Sequence, residues 1–281
     1  MFTLHNGDCL QVLPSIPSGS IDAIITDLPY GTTACKWDTV IEFAPMWEQV
    51  QRVLKSSGVF VTTSSQPFTS ALVMSNPSFF SYEWIWNKNK AGNIMLAKKQ
   101  PLKVHENIVV FGKSYYPQME VVTGRVRDIR KEQARKNRND GAVTPKGFVK
   151  YAKDYNPSLK YPTSIRYYAN HREKEMVLHP TQKPVALYEY LIKTYTNEGE
   201  TVLDIAMGSG TTIEAAERTG RNSIGIEKDE GIFQSAVLRL KPFTPSNNRL
   251  QPTAFGVGTQ AEFPLLGSSQ ADESPATNGG G

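Results

Sequence analysis

The sequence predicts an α/β fold built on a doubly wound, mostly parallel sheet with a basic insertion. Strands and helices alternate along the first third of the chain, which is the pattern of βα repeats. Residues 201–240 then read as strand, glycine loop, helix, strand and helix, a complete βαβ unit. A length of 281 residues suits one large α/β domain with an insertion, or two small domains.

Taken in order, FTLHNG (2–7) reads as a short strand, CLQVL as a turn-rich helix, and IDAIITD (21–27) as a buried strand. FAPMWEQVQRVL (43–54) predicts a helix because Phe43, Met46, Trp47, Val50, Val53 and Leu54 recur at three- and four-residue steps, with Gly58 as its stop. GVFVTTS is the next strand, SALVMSN a helix, and FSYEWIWNK with HENIVVFG a further pair of strands. From Lys113 the pattern breaks, and GRVRDIRKEQARKNRNDGAVTPKG is polar, basic and poor in core-forming residues. Order returns near YPTSIRYY. HPTQKPVALYEYLIKTYT reads as a helix entered through Pro184, with Leu187, Tyr190, Leu191 and Tyr195 on one face. Beyond Pro242 the chain is rich in Pro, Gly, Ser, Thr and Gln, which predicts a disordered tail over 243–281.

Composition narrows the function classes. No window approaches eighteen consecutive apolar residues, so no membrane span is expected. The N-terminus lacks the basic start and apolar core of a secretory signal, and a cytoplasmic location is expected. Cys9 and Cys35 have no ligand spacing around them, so neither a disulfide framework nor a metal site is predicted. The net charge of +4 is unevenly spread: residues 112–177 hold fifteen Lys or Arg against seven Asp or Glu. Such concentration suggests a polyanion site, with a solvated basic loop as the alternative. Arg125, Arg127, Arg130, Lys131, Arg135, Lys136 and Arg138 are the candidate phosphate contacts.

In VLDIAMGSGTT the loop leaves a strand and opens a helix, so Gly208 and Gly210 let a ligand approach the backbone. A dinucleotide fingerprint needs a third glycine where Ile213 stands, and a phosphate loop needs Gly-Lys-Ser/Thr where Thr211 follows Gly210. A nucleoside-type ligand remains, and Glu227, at the end of the next strand, is placed for ribose hydroxyls. Asp204 would suit a cationic ligand such as S-adenosylmethionine, or serve as a turn cap.

DLPYGT and DIAMGSGTT together resemble the amino-group DNA methyltransferases, whose signatures are Asp/Asn/Ser-Pro-Pro-Tyr/Phe and Asp-x-Phe-x-Gly-x-Gly. NGDCLQVL matches the segment whose acid, here Asp8, is expected at the cofactor adenine, and HPTQKP matches the segment before the cofactor loop. The matches span residues 4–111 and 161–240, with the tetrapeptide ahead of the cofactor loop. That order resembles the circularly permuted beta class, whereas methylases of RNA bases or protein glutamine usually put the cofactor loop first.

The resemblance implies a Rossmann-like methyltransferase fold, S-adenosylmethionine as cofactor and double-stranded DNA as partner. It leaves a homodimer and a cognate restriction enzyme open. Residues 1–112 would be the catalytic half, 113–160 the target-recognition insertion and 161–242 the cofactor half. Asp27, Leu28, Pro29 and Tyr30 would be catalytic. Asp8, Lys183, Asp204, Ala206, Met207, Gly208, Ser209, Gly210, Thr211, Thr212 and Glu227 would hold the cofactor. Leu28 and Ala206 depart from the usual proline and phenylalanine. Asp27 and the Leu28 carbonyl would each accept an N–H of the target amine, and Tyr30 would stack on the flipped base. Asp rather than Ser at the head of the tetrapeptide favours adenine N6 over cytosine N4, and no Pro-Cys pair is present for C5 chemistry. A catalytically silent DNA-binding module is the rival reading; a nicotinamide oxidoreductase lacks the third glycine.

Overall fold

The computed structural model describes residues 1–32, 38–121, 156, 158–169 and 182–243. Strands β1 (Phe2–Asn6), β2 (Ile21–Thr26) and β3 (Leu54–Ser64) alternate with helices α1 (Cys9–Val12), α2 (Phe43–Val53) and α3 (Phe68–Ser75). An antiparallel pair follows, β4 (Phe80–Asn87) and β5 (His105–Gly112). Short strands β6 (Glu120–Val121) and β7 (Leu159–Lys160) form a separate ribbon, and β8 (Ile165–Tyr167) returns to the main sheet. The last part runs α4 (Val185–Tyr195), β9 (Thr201–Asp204), α5 (Thr211–Arg218), β10 (Asn222–Glu227) and α6 (Glu230–Leu240).

The main sheet has the order β1-β10-β9-β2-β3-β5-β4-β8, parallel from β1 to β3, with β5 antiparallel to both its neighbours. This is the doubly wound, mostly parallel sheet that the alternation implied. Both faces are covered, so the central strands read as nearly continuous apolar runs. On β2, Ile24 enters one layer with Met46, Trp47, Val50 and Phe60. Its neighbours Ala23 and Ile25 enter the opposite layer with Val61, Leu187, Leu191 and Val202.

From β9 the chain winds outward to β10, and from β2 it winds the other way to β3. The β9–β2 pair is therefore a topological switch point, where the carboxyl ends of open α/β sheets form a ligand crevice. Ile24 pairs with Leu203, so Asp27 and Asp204 emerge at the same edge.

One boundary differs from the sequence expectation. Gly58 does not stop α2: the helix ends at Val53, and Leu54 is already extended (φ −67°, ψ 140°). Leu54 is buried and pairs with Ile21, so sheet hydrogen bonding takes over from the helix four residues before GVFVTTS. Gly58 lies inside β3. The expected phosphate contacts from Arg125 to Arg138, Cys35, and the tail beyond 243 lie outside the described residues. No helix among the described residues is long and apolar enough to cross a membrane.

Gly112, at φ +106°, ends β5 against Gly58, and a Cβ there would sit 2.4 Å from the Gly58 carbonyl oxygen. Gly199, at φ +80°, has nothing within 4 Å of that position. Gly199→Ala should therefore cost only the backbone penalty of about 1–2 kcal/mol, whereas Gly112→Ala should exceed it by at least ~1 kcal/mol through the backbone clash. Urea unfolding of the two variants checks the difference; equal losses would contradict it.

Candidate active site

The carboxyl ends of β2, β9, β10 and β1 enclose a cavity of about 590 Å³, within the usual size of small-molecule sites. Asp27, Leu28, Pro29 and Tyr30 line it, as do Asp8, Lys183, Asp204, Ala206, Met207, Gly208, Ser209, Thr211, Thr212 and Glu227. Gly210 is not on the wall. It caps α5 at φ +80°, where a Cβ would lie 3.1 Å from Leu240 Cδ1, so its role is close helix packing.

Asp27, on the cavity wall, is bonded on both carboxylate oxygens. Its Oδ1 accepts from the Tyr30 hydroxyl at 2.9 Å and from Thr63 on β3. Its Oδ2 pairs with Lys183 Nζ at 2.8 Å. Lys183 also lies 3.4 Å from Glu106 Oε2, whose other oxygen accepts from Lys88 at 2.8 Å. Burial works against the charge on Lys183, but Asp27 and Glu106 outweigh it and push the ammonium above its ordinary pKa. Burial likewise works against Glu106, yet Lys183 and Lys88 hold it below the usual carboxylate range. Lys183 and Glu106 are thus each held in their charged form, inside the chain of contacts Asp27–Lys183–Glu106–Lys88. Lys183, expected among the cofactor residues, makes its polar contacts with this acid chain.

Around Asp27 the loop is fixed by packing and by one further acid. The Tyr30 ring lies 5.3 Å from that of Phe68, and burial together with the Asp27 charge raises its phenol well above the usual range, so it stays a donor. Leu28 fills the apolar layer beneath β2, where it is 3% exposed. Asp38, which no sequence motif singled out, accepts from Gly31 N at 2.8 Å and Thr32 N at 2.9 Å and so tethers the segment after Tyr30.

The glycine loop is built differently. Asp204 is 2% exposed and accepts from Thr26 Oγ1 at 2.7 Å, Ala206 N at 3.1 Å and Thr212 Oγ1. Burial pushes its pKa up to about 7 despite those hydrogen bonds. Glu227 accepts from Gly208 N at 3.0 Å and Asp229 N at 2.8 Å, and its pKa is raised chiefly by burial. Asp8 caps α1 through Leu10 N and pairs with Lys228 at 2.9 Å. Gly208, at φ +53°, has open space where a Cβ would stand, leaving room for a ligand against the backbone. From α6, Arg239 braces the loop by donating to Ser209 Oγ and Thr211 Oγ1 while pairing with Glu214 at 2.7 Å. A cavity with Asp8, Asp204 and Glu227 around an open glycine turn fits a nucleoside ligand bearing positive charge.

Residues 21–238 match the N6/N4 methyltransferase family model, described as DNA methylase. The type II methyltransferase M.HpaI of Haemophilus parainfluenzae is 29% identical over 245 residues, covering 83% of this chain and 72% of that protein. The DNA adenine methyltransferase YhdJ of Escherichia coli (strain K12) is 29% identical over 258 residues, covering 85% and 82%. Among solved structures, an M1.HpyAVI–SAM complex superposes with a TM-score of 0.57 at 23% identity, over 85% of this chain and 99% of its own, a likeness of fold.

Lys183 is only 13% exposed and separates two carboxylates. Removing one partner from a fully buried pair costs roughly 3–5 kcal/mol, so Lys183→Met should lose about 2–3 kcal/mol in urea unfolding. Adding Glu106→Gln should recover part of that loss. A Lys183→Met protein as stable as wild type would contradict the charge chain.

Proposed function

This chain belongs to the N6/N4 DNA methylase family, and from that premise we propose that it methylates the N6 amino group of adenine in duplex DNA. The observation that carries the reading is Asp27 at the end of β2, bonded on both oxygens, beside a cavity whose far wall is the glycine loop. A carboxylate has about four acceptor sites. Tyr30, Thr63 and Lys183 occupy three of Asp27's, which leaves one for an N–H of the target amine. The Leu28 carbonyl accepts the second N–H.

With both hydrogens held, the amino nitrogen is drawn out of conjugation and its lone pair becomes nucleophilic. S-adenosylmethionine, when bound, supplies the methyl group on an electron-poor sulfonium. The new N–C bond forms as the C–S bond breaks, and the amine's surplus proton passes to Asp27 or to water. Positioning and fixed charge supply the rate. Extruding the base costs a few kcal/mol, and a stack on Tyr30 offsets about 1–3 kcal/mol of it. Asp8, Met207, Gly208 and Glu227 hold the nucleoside part, and Asp204 favours the positive charge of the ligand.

Adenine is favoured because an acid, a strong charge-assisted acceptor, opens the tetrapeptide, and because one relative at 29% identity is a DNA adenine methyltransferase. Residues 113–160 serve target recognition, with the Arg125–Arg138 cluster on phosphate. The protein works in the cytoplasm.

Duplex DNA incubated with the protein and labelled S-adenosylmethionine should yield N6-methyladenine after digestion to nucleosides. N4-methylcytosine in the mass spectrum would overturn the base assignment, and C5-methylcytosine the mechanism as well.

Cofactor affinity should also depend on pH. Asp204 titrates at about 7 because burial favours its neutral form. A cationic ligand favours the ionised form, so affinity should rise as pH climbs towards 7 and level off above it. Calorimetry from pH 6 to 8 should find this rise in wild type and a flat, weaker response in Asp204→Asn. A rise retained in the variant would assign the titration elsewhere.

A further inference from the structure

We propose that the loop between β4 and β5, residues 88–104, is a DNA wedge: its exposed lysines Lys90, Lys98 and Lys99 lie on backbone phosphates and its apolar tip enters the base stack beside the extruded target. The proposal rests on the functional reading above and adds a surface to it.

The loop holds Lys88, Lys90, Lys98, Lys99 and Lys103 and no acid. Lys90, Lys98 and Lys99 are exposed. At the tip, a single 3-10 turn, Ile94–Leu96, presents Ile94 at 67% and Met95 at 96% exposure, with Leu96 at 41%. Such side chains are normally withdrawn from water unless a partner covers them.

The stem is ordered. Lys88 N donates to the Val104 carbonyl and Gly92 N to the Lys103 carbonyl, both at 2.8 Å, and Lys103 N donates to Asn93 Oδ1 at 2.8 Å. Its base is tied to the active site. Lys88 pairs with Glu106, Glu106 with Lys183, and Lys183 with Asp27, while Lys103 Nζ bonds Ser65 just past β3. The loop therefore rises from the same sheet edge as the tetrapeptide.

Cations flanking an apolar point match a partner with anionic rims and an apolar stacked interior, which describes duplex DNA. Proteins that kink or open a duplex insert Ile, Leu or Met between base steps in this way. A second copy of the chain is a poorer match, because two such loops would bring like charges together.

The test uses a short duplex carrying the site mapped by methylation sequencing in expressing cells. A second duplex has the target base opposite an abasic position, where extrusion is already cheap. The variant Ile94→Ser with Met95→Ser and Leu96→Ser should transfer methyl to the paired duplex about tenfold more slowly than wild type, yet match it within about twofold on the abasic duplex. Equal loss on both duplexes, no loss on either, or a changed sedimentation state would overturn the wedge. Lys90→Gln with Lys98→Gln and Lys99→Gln should lower the salt slope of DNA binding by up to about three; an unchanged slope would overturn the phosphate contacts. Wild-type protein inactive on both duplexes would instead fault the functional reading, and the salt slope would still report on the loop.

Discussion

The site depends on one lateral contact between strands far apart in sequence. β2 and β9 lie side by side, and Thr26 Oγ1 donates to Asp204 Oδ1 at 2.7 Å across 178 residues of chain. Without that pairing the tetrapeptide and the glycine loop would belong to separate half-sheets. With it, the two halves share one edge and one cavity, and the permuted order of the motifs along the chain has no consequence for their arrangement in space.

The acids around the cavity are held by different means, and the difference sorts their roles. Asp27 is fixed by an ion pair and two hydroxyls, so its charge is balanced by a lysine that burial cannot neutralise. Asp204 has no cation beside it among the described residues; hydroxyls and one amide orient it, and burial leaves it near the midpoint of its titration at neutral pH. Under the proposed function, a charge balanced in advance would suit Asp27 as acceptor from a neutral amine, and a charge left unbalanced would suit Asp204 beside a cationic ligand.

Local patterns made the strands, the helix faces and both loops legible, because each is encoded within a few residues. The apolar steps of Met46, Trp47 and Val50 and the glycines of the loop after β9 are of this kind. What escaped was set by pairing across the sheet. Gly58 looked like a helix stop until Leu54 proved to pair with Ile21. Thr63 and Glu106 belong to neighbouring strands, Arg239 to the last helix, and none carries a local signal of its partner. Lys183 was read from its motif as a cofactor residue, and only the fold brings it onto Asp27. The lysines of 88–104 were overlooked beside the larger basic excess of 112–177.

The central claim is that amine activation and cofactor binding are separate tasks of the two strand ends. Asp27→Ala, measured for turnover on duplex DNA and for S-adenosylmethionine affinity by calorimetry, tests it directly. The account predicts that methyl transfer is abolished while affinity stays nearly unchanged. Near-normal turnover, or a loss of affinity as large as the loss of turnover, would contradict it.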